Sequence, residues 1–300
     1  MGARWLYAVP SCINSHPDMD VILNLAPTGM VTTHEMSPQV PLQVADIVAD
    51  ALRCAEEGVT IIHLHARDEQ GRPTHHKEVY GRIIGGIREV REDLVLCASC
   101  SGRSVAELEA RAEVLSLGKD LRPDMASLTL SSLNFPGQAS INPPNAILGL
   151  AERMGEQGIK PELEIFDLGM ANYANYLLER GVIRQPLYAN LFFGSIASAQ
   201  PTLLEMAAMT QALPSGTVWS FAGIGRAQRP AASMAIALGG GVRIGLEDNI
   251  WADADRTHLD TNLEQVRWVH ALARLHGRSV MSPAEFRKRL ISPGLDSKSG

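Results

Sequence analysis

Eight short runs of β-branched and other apolar residues, each followed by a longer amphipathic segment, predict a (β/α)8 TIM barrel. Three observations carry that expectation. The units lie in series between residues 21 and 276, and serial strand–helix units force parallel strands joined by right-handed crossovers. Their number and the 300-residue length suit one closed barrel, and a 45% hydrophobic content is enough to fill its core. The main alternative, an open doubly wound sheet, should carry a glycine-rich fingerprint directly after the first strand, and Pro27-Thr28-Gly29 is not one.

Residues 21–26 form the first expected strand, followed by a Pro/Thr/Gly loop and a helix over 42–57 that stops at Gly58. The second pair is 60–65 and 78–91, and the third is 94–99 and 105–115. The fourth strand, 125–130, precedes a helix opened by Pro143-Pro144 that runs to 156. Then come 163–167 with 171–180, 187–193 with 202–212, 217–222 with 231–238, and 242–246 with 261–276. The chain reads as a single domain over 1–300. Its extensions, 1–19 and 278–300, fall outside the repeat and are placed to close the barrel bottom or to meet a neighbouring subunit.

A formal charge of −6 argues against nucleic acid or an anionic membrane as partner, so an anionic substrate would need a local cluster of cations. Cys12, Cys54, Cys97 and Cys100 are too few for a disulfide scaffold in a chain of this length. No apolar stretch reaches the roughly 18 residues of a membrane span. Residues 1–17 lack a sustained apolar segment and a clear cleavage site, which makes the cytoplasm the expected location.

Barrel enzymes carry their chemistry at the C-terminal ends of the strands. There the second strand reads Ile61-Ile62-His63-Leu64-His65-Ala66-Arg67-Asp68, and period-two alternation puts His63 and His65 on one face, close enough to share a metal ion. The eighth reads Val242-Arg243-Ile244-Gly245-Leu246-Glu247-Asp248, with Arg243, Gly245 and Glu247 facing together and the glycine leaving room for something bulky. Arg243 and Glu247 could form a structural ion pair. Beside two histidines, Glu247 completes a His2Glu set with an open position, which suits catalytic zinc. Ser99, Ser127, Thr129, Glu162, Glu164 and Asn190 add polar groups at inward positions, more than an inert core would hold. The Gly223-x-Gly225-Arg226 turn opens the seventh helix and could contact a phosphate or CoA. Cys97-x-x-Cys100 lacks a second pair and does not share a strand face, so neither a zinc nor a redox role is assigned to it. Amidohydrolase-type chemistry needs further histidines, and none lies between His76 and His258. Metal-dependent aldolases and lyases, or a non-catalytic metal-binding barrel, stay open.

A set of motifs narrows this: Thr28-Gly29-Met30-Val31-Thr32-Thr33, His63-Leu64-His65-Ala66-Arg67-Asp68, Glu164-Ile165-Phe166-Asp167, and Gly239 through Asn249 with its Arg-x-Gly-Leu-Glu-Asp core. Over roughly residues 20–280 the chain resembles the β-keto acid cleavage enzymes (BKACE). The resemblance implies a zinc-dependent (β/α)8 barrel that reacts a β-keto acid with acetyl-CoA to give acetoacetate and a new acyl-CoA, and it suggests a homo-oligomer, with a homotetramer expected. It implies His63, His65 and Glu247 as Zn2+ ligands, Asp248 as general base with Arg243 as its partner, and Ser99 and Ser127 as pocket residues. Ser127 stands where a compared member has threonine. One departure bears on the substrate: where a member acting on an aminated substrate has a glutamate facing the ammonium, this chain has Val31. An apolar group there penalises a buried cation, so a β-keto acid with a neutral, amine-free tail is expected.

Overall fold

The computed structural model describes residues 19–292. Each apolar run becomes one parallel strand: β1 (Leu23–Leu25), β2 (Ile61–Leu64), β3 (Val95–Ala98), β4 (Met125–Thr129), β5 (Lys160–Ile165), β6 (Tyr188–Phe193), β7 (Val218–Gly223) and β8 (Gly241–Ile244). Sequential strands pair, and β1 closes the ring on β8 with Asn24 opposite Arg243, which makes this a TIM barrel. Alternation then sorts the side chains. Leu23, Leu25, Ile62, Leu64, Leu96, Leu163 and Ile165 pack outward with helix residues such as Ile47 and Ile83, while Asn24, His63, Cys97, Glu162 and Arg243 face the interior.

The helices are α1 (Val44–Glu57), α2 (Lys77–Arg88), α3 (Leu108–Arg111), α4 (Pro144–Gln157), α5 (Leu168–Glu179), α6 (Leu203–Ala212), α7 (Gln228–Ala237) and α8 (Asn262–Leu275). Helix α5 starts three residues before the expected 171 because the Asp167 carboxylate caps it, accepting from the Met170 amide at 2.8 Å. Thr202 and Thr261 cap α6 and α8 in the same way. The third helix is shorter than the expected 105–115. After Arg111 the chain tightens into a 3-10 turn, Glu113–Ser116. Arg111 is turned inward, where Cys100 O, Ile141 O and Asn142 Oδ1 accept from its guanidinium, so the segment has no continuous apolar stripe to keep one long helix packed.

Two small hairpins, Ala66–Arg67 with Pro73–Thr74 and Leu133–Phe135 with Gln138–Ser140, stand above β2 and β4. At the other end the tail after α8 plugs the barrel. The Met281 amide donates to Val21 O at 2.9 Å, and Met281, Phe286 and Leu290 pack with Ile22, Ile61, Val95, Met125 and Tyr188. Of the two placements expected for the C-terminal extension, its described part takes the first. The expected N-terminal extension lies almost wholly outside the described residues. Among the described residues no helix is long and apolar enough to cross a membrane.

Candidate active site

His63 sits in the fully buried middle of the barrel because Glu162 receives it. The Nδ1 lies 2.6 Å from Glu162 Oε2, and the other Glu162 oxygen accepts from Asn24 Nδ2 at 2.6 Å. Cys97 Sγ adds a weaker donor to Glu162 Oε2 at 3.3 Å. Burial alone would raise the Glu162 pKa, but the His63 charge and hydrogen bond, with Arg243 and Asn24, hold it down to about 2. Against burial, the Glu162 carboxylate on Nδ1 raises the His63 pKa and leaves Nε2 as the nitrogen that would release its proton to take a ligand, the arrangement common behind metal-binding imidazoles.

That Nε2 points at His65 Nε2, 3.3 Å away. His65 Nε2 in turn lies 3.2 Å from Glu247 Oε1, and burial outweighs Glu247 to lower the His65 pKa. The other Glu247 oxygen, Oε2, is buried with no hydrogen-bond partner. Two ring nitrogens that face each other and an orphaned carboxylate oxygen are poorly satisfied by one another. A divalent cation among the three would satisfy all of them, and the His63–His65–Glu247 donor atoms lie within 4.8 Å of one another. The trio therefore fits a metal.

Glu247 reaches this position through a turn and not as the last residue of a strand. Strand β8 ends at Ile244, and the Glu247 amide donates to Ala26 O at 3.2 Å. Gly245 leaves no space for a ligand, because a Cβ there would meet Ala26 O at 2.0 Å; the residue is glycine so that the β1 backbone can approach. Gly29, with φ +67°, serves Glu247 similarly, since a Cβ would meet Glu247 Cγ at 2.5 Å. The Gly29 loop is held by Arg67, whose guanidinium donates to Gly29 O, Gly71 O and Thr32 O at 2.9, 3.0 and 3.1 Å.

Arg243, buried at 1% exposure, is the hub. Its Nη2 donates to Glu247 Oε1 at 2.8 Å, its Nε to Asp248 Oδ2 at 3.0 Å, and its Nη1 lies 3.7 Å from Glu164 Oε1. The ion pair considered from sequence alone thus exists, and it occupies only one oxygen of Glu247. The two adjacent carboxylates are pushed apart. Burial would raise both, but the charges and hydrogen bond of His65 with Arg243 hold Glu247 well below the usual range, while for Asp248 burial, reinforced by the Glu247 anion, outweighs Arg243 and raises it. One stays an anion and the other is poised to take a proton.

These groups open into a cavity of about 90 Å³ whose wall includes His65, Ser99, Thr129, Glu164, Arg243, Glu247 and Asp248, with Val31 at the rim, 52% exposed. Thr129 Oγ1 donates to Glu164 Oε2 at 2.6 Å. Two expected contacts lie elsewhere. The Ser127 hydroxyl is 1% exposed and accepts from the Cys100 amide at 3.1 Å, so it braces the β3 loop. Arg226 is not among the wall residues, and its turn serves Asp248 through the Gly225 amide, which donates to Asp248 O at 2.8 Å. Sequence reasoning named Glu162 only as an inward residue, its alternation with Glu164 being the sole signal. Asn24 and Arg103 stand in no pattern, and Gly29 and Arg67, although each lies in a motif, give no sign in the sequence that together they support Glu247.

A cation seat and a raised carboxylate at the C-terminal mouth of a TIM barrel define an enzyme built for acid–base chemistry on a small molecule. Residues 20–291 match the family model for the beta-keto acid cleavage enzymes, and the chain belongs to that family. It is 35% identical over 272 residues to a 3-keto-5-aminohexanoate cleavage enzyme of Fusobacterium nucleatum, covering 90% of this chain and 97% of that one. It is 36% identical over 279 residues to a 3-oxoadipate:acetyl-CoA acetyltransferase of Cupriavidus necator, covering 92% and 96%. Among solved structures, a ternary complex of ObcA with a C4-CoA adduct and oxalate superposes with a TM-score of 0.74 at 20% identity, covering 85% of this chain and 68% of that one, which speaks to the fold.

Proposed function

We propose that the protein is a zinc-dependent acyltransferase that cleaves a β-keto acid with acetyl-CoA, giving acetoacetate and a new acyl-CoA. The observation that carries the proposal is the convergence of His63, His65 and Glu247 beside the Arg243–Asp248 pair, behind a cavity that His65, Glu247, Arg243 and Asp248 line. The names of the relatives, a keto acid cleavage enzyme and a keto acid:acetyl-CoA transferase, support the reaction class.

His63, His65 and Glu247 would hold the metal, which when bound supplies Lewis-acid stabilisation of negative charge on the keto oxygen. Asp248 takes the acidic proton from the carbon between the keto and carboxylate groups, and Arg243 orients it and keeps its charged form accessible. That carbon's electron pair forms the new bond to the thioester carbonyl as the CoA thiolate leaves. The thiolate then attacks the original keto carbon, the bond between that carbon and its former neighbour breaks, and Asp248 returns the proton. Ser99, Thr129 and Glu164 line the space for the acid. Val31 at the rim supports a substrate without an amino group, since it offers an ammonium no partner. Self-association, as a tetramer in the cytoplasm, belongs to the same proposal. Exposed Ile196, Leu203 and Leu204, at 69%, 70% and 80%, support a covered face.

A coupled assay of acetoacetate formation from acetyl-CoA over a panel of β-keto acids, with and without chelator, tests the reaction. Turnover that depends on both metal and acetyl-CoA is expected. Metal retention without turnover would instead mean a binding barrel, and CoA-independent consumption of an ester or lactone a hydrolase.

A further inference from the structure

One cation on the cavity wall has no part in the acid–base machinery. Arg103, in the loop after β3, lies with its guanidinium carbon 3.6 Å from the Phe135 ring centroid. Its Nε is buried with no partner, and among the described residues no carboxylate pairs with it. The neighbouring arginines have counter-groups: Arg67 and Arg111 donate to carbonyl and amide oxygens, and Arg243 donates to carboxylates through Nε and Nη2, with Nη1 making no hydrogen bond but lying 3.7 Å from Glu164 Oε1.

The side chain is held in place. Gly102 O accepts from the Ile141 amide at 3.1 Å, and a Cβ on Gly102 would meet Ile141 O at 2.3 Å, so the loop is pressed against the hairpin that carries Phe135. From Phe135 an aromatic wall runs back to the acid–base centre. Phe135 meets Phe166 edge-on at 5.7 Å, Phe166 stacks on Phe192 at 4.3 Å, and the Arg243 guanidinium lies 4.9 Å from Phe192. An apolar strip with the reaction centre at one end and an unpaired cation at the other fits a straight carbon chain that ends in an anion. Arg103 is half-buried, and a guanidinium whose Nε is shut off from water without a partner is costly unless a ligand brings the counter-charge.

We propose that Arg103 determines specificity by receiving a second carboxylate at the far end of the β-keto acid, so that the preferred substrates are 3-oxo dicarboxylic acids. The inference rests on the acyl-transfer reaction proposed above. It replaces the neutral tail expected from Val31 alone, while agreeing that an ammonium is excluded. The CoA diphosphate has similar chemistry, but the extended pantetheine arm would hold it well outside a cavity of this size.

The test compares kcat/KM for straight-chain 3-oxo dicarboxylic acids with that for 3-oxo alkanoic acids of equal length, in the wild type, Arg103→Gln and Arg103→Lys. The wild type should favour the diacids. In Arg103→Gln the diacid-to-alkyl ratio should fall about tenfold to a hundredfold, as expected for a lost charge-assisted contact. Arg103→Lys should recover part of it, and calorimetric binding of adipate over hexanoate should follow the same order. An unchanged ratio, or a raised KM for acetyl-CoA with the ratio intact, overturns the assignment. If no β-keto acid is turned over, the acyl-transfer proposal fails on its own, and the adipate preference still decides the role of Arg103.

Discussion

At the N-terminal end of the barrel, Ile22, Ile61, Val95, Met125 and Tyr188 meet Met281, Phe286 and Leu290 in an apolar plug. At the opposite end β2, β5 and β8 present His63, Glu162, Glu164 and Arg243, with His65 just beyond β2 and Glu247 and Asp248 just beyond β8. On β2 a single inward step separates Ile61 from His63. The plug gains free energy from removing carbon from water, which is insensitive to where each methyl points. The mouth gathers charges whose desolvation cancels much of their attraction, so it adds little to stability and depends on placement within a few tenths of an ångström. Substitutions at the two ends should therefore act on different observables.

The largest expected effect is at the mouth. Asp248→Asn should lower kcat by roughly 10²- to 10⁴-fold while metal content, measured by elemental analysis, stays at the wild-type level. Parallel loss of metal would place Asp248 among the ligands. The matching break at the plug is Phe286→Ala, which removes a ring in edge contact with Tyr188 at 5.5 Å. It should cost about 3–5 kcal/mol in denaturant unfolding, with kcat preserved where the variant is folded. A variant that loses turnover at full stability would erase the contrast between the ends. Glu162→Gln lies between the two regions, and by weakening the hold on His63 Nδ1 it should lower metal affinity about 10- to 100-fold by competition titration. The smallest effect is at the rim. Val31→Glu should shift preference toward an aminated β-keto acid by roughly two- to fivefold, the scale of an exposed ion pair, measured as a ratio of kcat/KM values.

The barrel was legible because β-branched runs alternating with amphipathic segments report strand and helix directly, as at residues 187–193 and α8. His63 and His65 were legible for the same reason, since strand parity fixes their common face. Parity did not hold for Glu247, whose position depends on the turn after Ile244 and on the absence of a side chain at Gly29. The plug escaped because Phe286 ends a four-residue α-helical turn and Leu290 lies on the π turn after it, around a basic stretch, Arg287-Lys288-Arg289, where no helical stripe stands out. Arg103 escaped because its meaning comes from Phe135 and from the partners it lacks, and neither is written within a sequence window.

The central claim is that one metal ion is shared by an early and a late strand of the ring. Anomalous diffraction at the zinc edge from crystals of active protein tests it most directly. A single strong peak within bonding distance of His63 Nε2, His65 Nε2 and the Glu247 carboxylate is the expected result, and a peak elsewhere, or none in fully active protein, would contradict it.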